Sequence, residues 1–203
     1  MDFHPHEYQS IAIQRIIDNT HYGLLLDMGL GKTISTLIAI ERLMYDYFDI
    51  KKVLLIAPKK VAESTWAQES QKWSATRRLT VAKVLGSEKE RIQALESESD
   101  VYVINHENVQ WLYEYYHKKK SFPFDMLVID ESSSFKNPQA KRFKAIRKLR
   151  PLFKRIVILT GTPAPNTLLD IWAQMYLLLL RLRRSQSASA LSAEERLRVR
   201  INL

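Results

Sequence analysis

Six short apolar runs recur along the chain, at residues 22–27, 53–57, 79–84, 101–105, 126–130 and 156–160. Most are continuously hydrophobic rather than alternating, the pattern of strands buried on both faces. Segments of helical period separate them. Residues 33–48 carry Ile34, Leu37 and Ile38, residues 61–73 carry Val61, Trp66 and Trp73, and residues 141–150 carry Phe143, Ile146 and Leu149. Ser87 followed by Glu90 reads as a capping box that opens a helix to about Ser97. Strand and helix patterns alternate throughout, so the expected fold class is α/β, a mostly parallel central sheet with helices on both faces. At 203 residues the chain is long enough for one generous domain.

Composition narrows the classes of function. Cysteine is absent, which excludes disulfides and thiolate metal sites. The longest apolar run, residues 175–180, falls far short of the roughly 17–25 residues of a membrane span, and no signal peptide is expected, because Asp2, His4, His6 and Glu7 interrupt the apolar stretch it would need. A cytoplasmic protein without a membrane partner is therefore expected. Lys and Arg number 31 against 22 Asp and Glu, a net charge of +9 that favours polyanionic partners. Only five glycines occur, and Gly29 and Gly31 fall close together. A chain so sparing with glycine places it where the backbone needs it.

Those two glycines belong to Leu24-Leu25-Leu26-Asp27-Met28-Gly29-Leu30-Gly31-Lys32-Thr33, a strand, a turn and the opening of a helix. A phosphate-binding loop requires this order: backbone N–H groups turned inward, a helix N-terminus facing the anion, and a lysine reaching the β/γ-phosphates. Thr33 is placed to set its hydroxyl on Mg²⁺. The usual first glycine of the pattern is Leu26 here. Downstream, Met126-Leu127-Val128-Ile129-Asp130-Glu131 is a buried strand ending in two carboxylates. Such a site needs one acid to hold Mg²⁺ and another to orient or deprotonate the attacking water, and Asp130 and Glu131 suit these roles in that order. A third element, Leu159-Thr160-Gly161-Thr162-Pro163, is a strand entering a turn rich in hydroxyls.

Together these residues resemble the first RecA-like lobe of a superfamily two helicase-like ATPase, most similar to the Swi/Snf-type DNA translocases. Asp27 to Thr33 resembles motif I and Asp130-Glu131-Ser132-Ser133 stands in the place of motif II, with the two serines departing from it. Leu159 to Pro163 with Asn166 matches motif III, and Ala57-Pro58 with Trp66 and Glu69 looks like motif Ia. His106-Glu107 sits where motif Ib would be, and His6-Glu7-Tyr8-Gln9 resembles the Q motif. The resemblance covers about residues 3–180, and the compact pattern hints at a bacterial virus, which would make the compartment the host cytoplasm. It implies a P-loop lobe that binds ATP and Mg²⁺. Gln9, Met28, Gly29, Leu30, Gly31, Lys32 and Thr33 would hold the nucleotide, and Thr33 and Asp130 the metal. Lys32 and Glu131 would be catalytic, and Thr160, Gly161 and Thr162 would couple hydrolysis to movement. The implied activity is ATP hydrolysis driving movement along duplex DNA, with a second RecA-like lobe, on a separate chain if need be, supplying the arginines that reach the γ-phosphate. A non-enzymatic nucleotide- or nucleic-acid-binding fragment is the rival reading, and a P-loop kinase a more distant one.

Residues 136–155 hold nine basic side chains and no acidic one. The apolar stripe of 141–150 is expected to leave Lys141, Arg142, Lys144, Arg147, Lys148 and Arg150 on outer faces, where Lys141, Arg142 and Lys144 are candidate DNA contacts. Lys59 and Lys60 follow a strand end and are candidates too. Trp66, Trp73, Trp111 and Trp172 read as core residues, and His106 has no second ligand cluster that would make it a metal ligand. Residues 1–180 read as the lobe. Residues 181–203, with six arginines and two glutamates, read as a basic tail, either an exposed amphipathic helix or the product of a truncation or shifted frame.

Overall fold

The computed structural model describes residues 1–135, 137–161 and 175–178. All six expected strands form: β1 (His21–Leu25), β2 (Val53–Ala57), β3 (Val81–Val84), β4 (Val101–Asn105), β5 (Met126–Asp130) and β6 (Arg155–Thr160). They pair in the order β1-β6-β5-β2-β4-β3, and every pairing is parallel. All strands therefore end at one edge, and each connection must return across a face of the sheet. Helices make the returns: α1 (Glu7–Asp18) leads into β1, and α2 (Lys32–Tyr45), α3 (Trp66–Lys72), α4 (Glu88–Glu96), α5 (Val109–Lys119) and α6 (Lys141–Leu149) follow in turn.

The continuous apolar runs bury both faces, as their pattern demands. Val53, Leu55 and Ala57 of β2 turn to the side covered by Ile16, Leu37, Ile40 and Trp66 of α1, α2 and α3. Leu54 and Ile56 turn to the side covered by Leu112 and Tyr116 of α5 and by Phe143 and Ile146 of α6. Every β2 side chain is fully buried, and burying each large one stabilises the fold by about 1.5–3 kcal/mol. Among the described residues no helix is long and apolar enough to cross a membrane.

Local differences from the sequence reading have physical causes. The helix expected over 33–48 stops at Tyr45, because Phe48 takes a left-handed conformation (φ 52°) and the Asp49 amide turns back to the Leu43 carbonyl at 2.9 Å. The segment 61–73 opens with a wide π turn, Val61–Thr65, before α3 begins. β3 starts at Val81 rather than at 79. Thr80 is held instead by Asp100, whose carboxylate accepts from its amide and its hydroxyl, both at 2.8 Å. The capping box forms, with the Glu90 carboxylate accepting from the Ser87 amide at 2.7 Å. Arg150 corrects the outer-face expectation. Only 2% of it is exposed, and its guanidinium donates to the Leu177 and Leu178 carbonyls at 2.8 and 3.0 Å. It stands just past the last turn of α6, out of the helical stripe, where buried carbonyls require a donor.

At the edge where strands begin, charge is tied into the frame. Arg155, first in β6, pairs with Asp49 and donates to the carbonyls of Ile16, Ile17 and Asn19 at 3.2, 3.0 and 3.1 Å. Asp125, just before β5, accepts from the Lys51 amide at 2.8 Å and pairs with Lys154 at 3.0 Å. Lys136, Thr162, Asn166, Trp172 and the expected tail 181–203 lie outside the described residues.

Candidate functional site

The C-terminal edge of the sheet gathers the candidate residues, as parallel open sheets require. After β1 the chain makes the loop 26–31, with Gly29 at φ 83° and Gly31 at φ 76°. Both angles lie in the left-handed region that glycine enters without strain. A Cβ on Gly31 would collide with the Gln9 amide, whereas one on Gly29 would meet nothing within 4 Å. Gly31 is tight for the fold and Gly29 is open toward the cleft. Gly31 caps α2, so the first amides of that helix face the same space.

That space is a cleft of about 730 Å³. Met28, Gly29, Gly31, Lys32, Thr33, Gln9, Asp130 and Glu131 line it, together with Phe3, Glu69 and Trp73. Lys32 donates to the carbonyls of Leu26 and Asp27 at 2.7 and 3.0 Å, and no ion pair reaches it among the described residues. Gln9 is buried, accepting from the His6 amide at 2.9 Å and donating to the Leu30 carbonyl at 3.3 Å. Its side chain thus joins α1 to the loop and retains one N–H and one lone pair for a ligand. Leu30 contributes this carbonyl rather than a cleft-lining side chain.

Asp130 and Glu131 close the far side. Glu131 has φ 52°, a conformation costing a non-glycine residue about 1–2 kcal/mol. Its amide donates to Asp130 Oδ1 at 3.0 Å, and its Oε1 accepts from Ser133 Oγ at 2.8 Å and Thr160 Oγ1 at 3.4 Å. Thr160 and Glu131 are therefore in direct contact. Gly161 carries β6 past the loop so closely that a Cβ there would lie 3.4 Å from the Leu26 carbonyl and 3.7 Å from Lys32 Nζ. Burial raises the Asp130 pKa above the ordinary carboxylate value, against the Trp66 indole and the Glu131 amide, which favour the ionised form.

Two residues given no part in the nucleotide site by the sequence reach this pair. Trp66, wholly buried, donates its indole N–H to Asp130 Oδ2 at 3.1 Å. His106, 3% exposed, has Nε2 3.0 Å from the Asp130 carbonyl. A carbonyl only accepts, so Nε2 carries the proton, and burial lowers the imidazole pKa and keeps the ring neutral. The signal for His106 was its position, first after a strand and hence on the rim. For Trp66 the signal was its place with Glu69 after Ala57-Pro58, which gave no hint of its bond to Asp130.

The proposed polyanion contacts lie outside the cleft. Lys59 and Lys60 are exposed beyond β2, Lys141 and Lys144 are exposed on α6, and none of them lines the cleft. Arg142 departs from the outer-face expectation. It is half-buried, with its guanidinium 6.0 Å from the Phe135 ring centroid, because an aromatic face is available beside it.

A six-stranded parallel sheet carrying a glycine loop, a lysine and a carboxylate pair on its C-terminal edge defines a RecA-like P-loop lobe. The model of the SNF2-related domain family matches residues 8–191, and the chain belongs to that family. It is 37% identical over 180 residues to putative protein p41 of Acyrthosiphon pisum secondary endosymbiont phage 1, covering 86% of this chain and 39% of that protein. It is 31% identical over 175 residues to the nuclear protein STH1/NPS1 of Saccharomyces cerevisiae, covering 82% of this chain and 12% of that one. Among solved structures, the Sulfolobus solfataricus SWI2/SNF2 ATPase core in complex with dsDNA superposes with a TM-score of 0.72 at 27% identity, covering 88% of this chain and 36% of that one. The chain thus spans well under half the length of these relatives.

Proposed function

We propose that the chain is the ATP-binding lobe of a DNA-dependent ATPase that moves on duplex DNA when a second lobe completes it. The observation that carries this reading is Lys32, whose hydrogen-bond partners among the described residues are main-chain carbonyls, facing Asp130 and Glu131 across one cleft. The loop amides and Lys32 receive the β- and γ-phosphates, with Met28, Gly29, Leu30, Gly31 and Thr33 forming the cradle and Gln9 meeting the base. Anion binding transfers the Lys32 ammonium from the Leu26 and Asp27 carbonyls to phosphate oxygens, a stronger charge-assisted bond.

The residues present fit Mg²⁺. Among the described residues no group of three or more metal-ligating side chains exists, and Mg²⁺ in such sites takes one or two protein oxygens with the remainder from phosphate and water. Thr33 and Asp130 would hold it, where it would neutralise charge developing on the phosphates. Glu131 orients or deprotonates the attacking water. Thr160, Gly161 and Thr162 transmit the state of the cleft, through the Thr160–Glu131 contact, to the rest of the chain. Duplex DNA is held non-specifically by its backbone, through Lys59, Lys60, Lys141 and Lys144, with Arg142 contributing at the margin. The host-cell cytoplasm of a bacterial virus is the proposed setting.

Phosphoryl transfer also needs positive charge on the γ-phosphate, and an arginine finger is worth about 10³–10⁵ in rate. Arg142, Arg150 and Arg155 are occupied away from the cleft. A second lobe, on a separate chain or not, supplies that charge. Phosphate release with and without duplex DNA tests the proposal. These 203 residues bind Mg-ATP and turn it over well below ~1 s⁻¹, the low end of ordinary enzyme rates, until a second lobe is added. Turnover at that rate by the chain alone, lost in Glu131→Gln, overturns the second-lobe requirement. Absence of nucleotide binding overturns the site.

A further inference from the structure

The peptide joining Asp130 to Glu131 lies between the two carboxylates on which the proposed site depends, and both of its polar groups are pinned. Its N–H is held by Asp130 Oδ1 at 3.0 Å, and its carbonyl faces His106 Nε2 at 3.0 Å. The need for His106 arises from the register of the sheet. Even-numbered residues of β2 turn their backbone groups toward β5, as the bond from the Met126 amide to the Lys52 carbonyl shows. The paired register ends with Ile56 opposite Ile129. Carried two residues further, it would set the N–H of residue 58 against the Asp130 carbonyl. Residue 58 is proline and has no N–H. The imidazole of His106, coming from the end of β4 on the other side of β2, supplies the donor that the ladder lacks.

The side chain of Asp130 is held separately. Trp66 has zero exposure, so its indole requires a partner inside the protein, and Asp130 Oδ2 is that partner at 3.1 Å. Together the two donors fix Asp130 by its carbonyl and by one carboxylate oxygen, while Glu131 keeps the strained φ of 52°. Such strain persists only where the surroundings over-determine the backbone. We propose that His106 and Trp66 are positioning residues for the carboxylate pair, holding Asp130 in the one orientation that accepts the nucleotide's divalent cation. This rests on the nucleotide reading of the site. Neither side chain lines the cleft, so each acts through Asp130.

The test compares the affinity of the 203-residue protein for a fluorescent ATP analogue in Mg²⁺ and in EDTA, for the native chain, His106→Leu, His106→Gln and Trp66→Phe. Loss of partners that orient a metal ligand typically costs ~10–100-fold in metal affinity. The gain in affinity on adding Mg²⁺ therefore collapses by about tenfold or more in His106→Leu and Trp66→Phe. His106→Gln, whose amide can still donate, retains it. Affinity in EDTA, set by the loop and Lys32, stays at the native value and certifies folding. An undiminished Mg²⁺ gain in His106→Leu and Trp66→Phe overturns the proposal and leaves the nucleotide reading intact. A native chain that binds no nucleotide in either condition sinks that reading instead. Hydrogen exchange at the Glu131 amide without ligand then decides the clamp: faster exchange in His106→Leu than in the native chain and His106→Gln supports it, and equal exchange overturns it.

Discussion

Lys32 and Arg155 stand at opposite edges of one sheet, and both donate to main-chain carbonyls. Arg155 also pairs with Asp49 and is 9% exposed, so its charge is neutralised where the strands begin. Lys32 has no such partner among the described residues, and the opposing acids across the cleft are held by other donors. The same kind of bond serves two ends. At one edge it joins α1 to β6, and at the other it holds a cation ready for an anion to claim.

The comparison breaks most visibly through Arg155→Ala. Three carbonyls lose their donor, and breaking a buried charge pair costs about 3–5 kcal/mol, toward the lower end here because Asp49 is half exposed. Thermal unfolding should shift downward by about 6–12 °C for a chain of this size, with nucleotide affinity unchanged in the fraction still folded. An unaltered melting temperature would show that Arg155 adds nothing to the frame.

Lys32→Ala inverts that profile. Loss of a charge-assisted phosphate contact should weaken nucleotide binding by about 100-fold, near 2.7 kcal/mol. Stability should move by about 1 kcal/mol or less. Native affinity in the folded variant, measured by titration calorimetry, contradicts the site.

Asp125 sharpens the comparison through pH. Burial alone would raise its pKa, but Lys154 and the Lys51 and Lys52 amides outweigh burial and hold it below the ordinary value. The folded pKa is depressed, so its contribution is complete above the unfolded value of about 3.9 and is lost as pH falls through the folded one. Asp125→Asn should cost about 1 kcal/mol at neutral pH and flatten the acid limb of stability below pH ~4. An unchanged acid limb would place the titration elsewhere.

The smallest effect is expected at Ser87, the cap of α4 beyond β3. Ser87→Ala should cost ~0.5–1 kcal/mol in urea unfolding and leave nucleotide binding untouched. Altered binding would mean that this flank communicates with the cleft.

Much of the frame was legible in the residues because burial on both faces demands uninterrupted apolar strands. Val53–Ala57, Val101–Asn105 and Met126–Asp130 have the same limits in the sequence reading and in the sheet. The loop 26–31 was equally plain, since glycine spacing and the lysine beside it are local requirements. Arg150 and Arg142 were misplaced because helical period describes one helix and is blind to its packing partners. Arg150 found carbonyls at 177 and 178, and Arg142 found the Phe135 ring.

Sequence alone therefore determined the alternation of strand and helix, the glycine loop with Lys32 and Thr33, and the acids at the end of β5, all set by neighbours within a few residues. Tertiary structure decided what surrounds those acids. Trp66 reaches Asp130 across 64 positions and His106 across 24. The π turn at Val61–Thr65 runs directly into the helix that Trp66 opens. Strand order set β6 beside β5 and placed the end of β4 across β2 from the pair. Long-range hydrogen bonds of this kind depend on where whole elements are packed, and no local pattern encodes them.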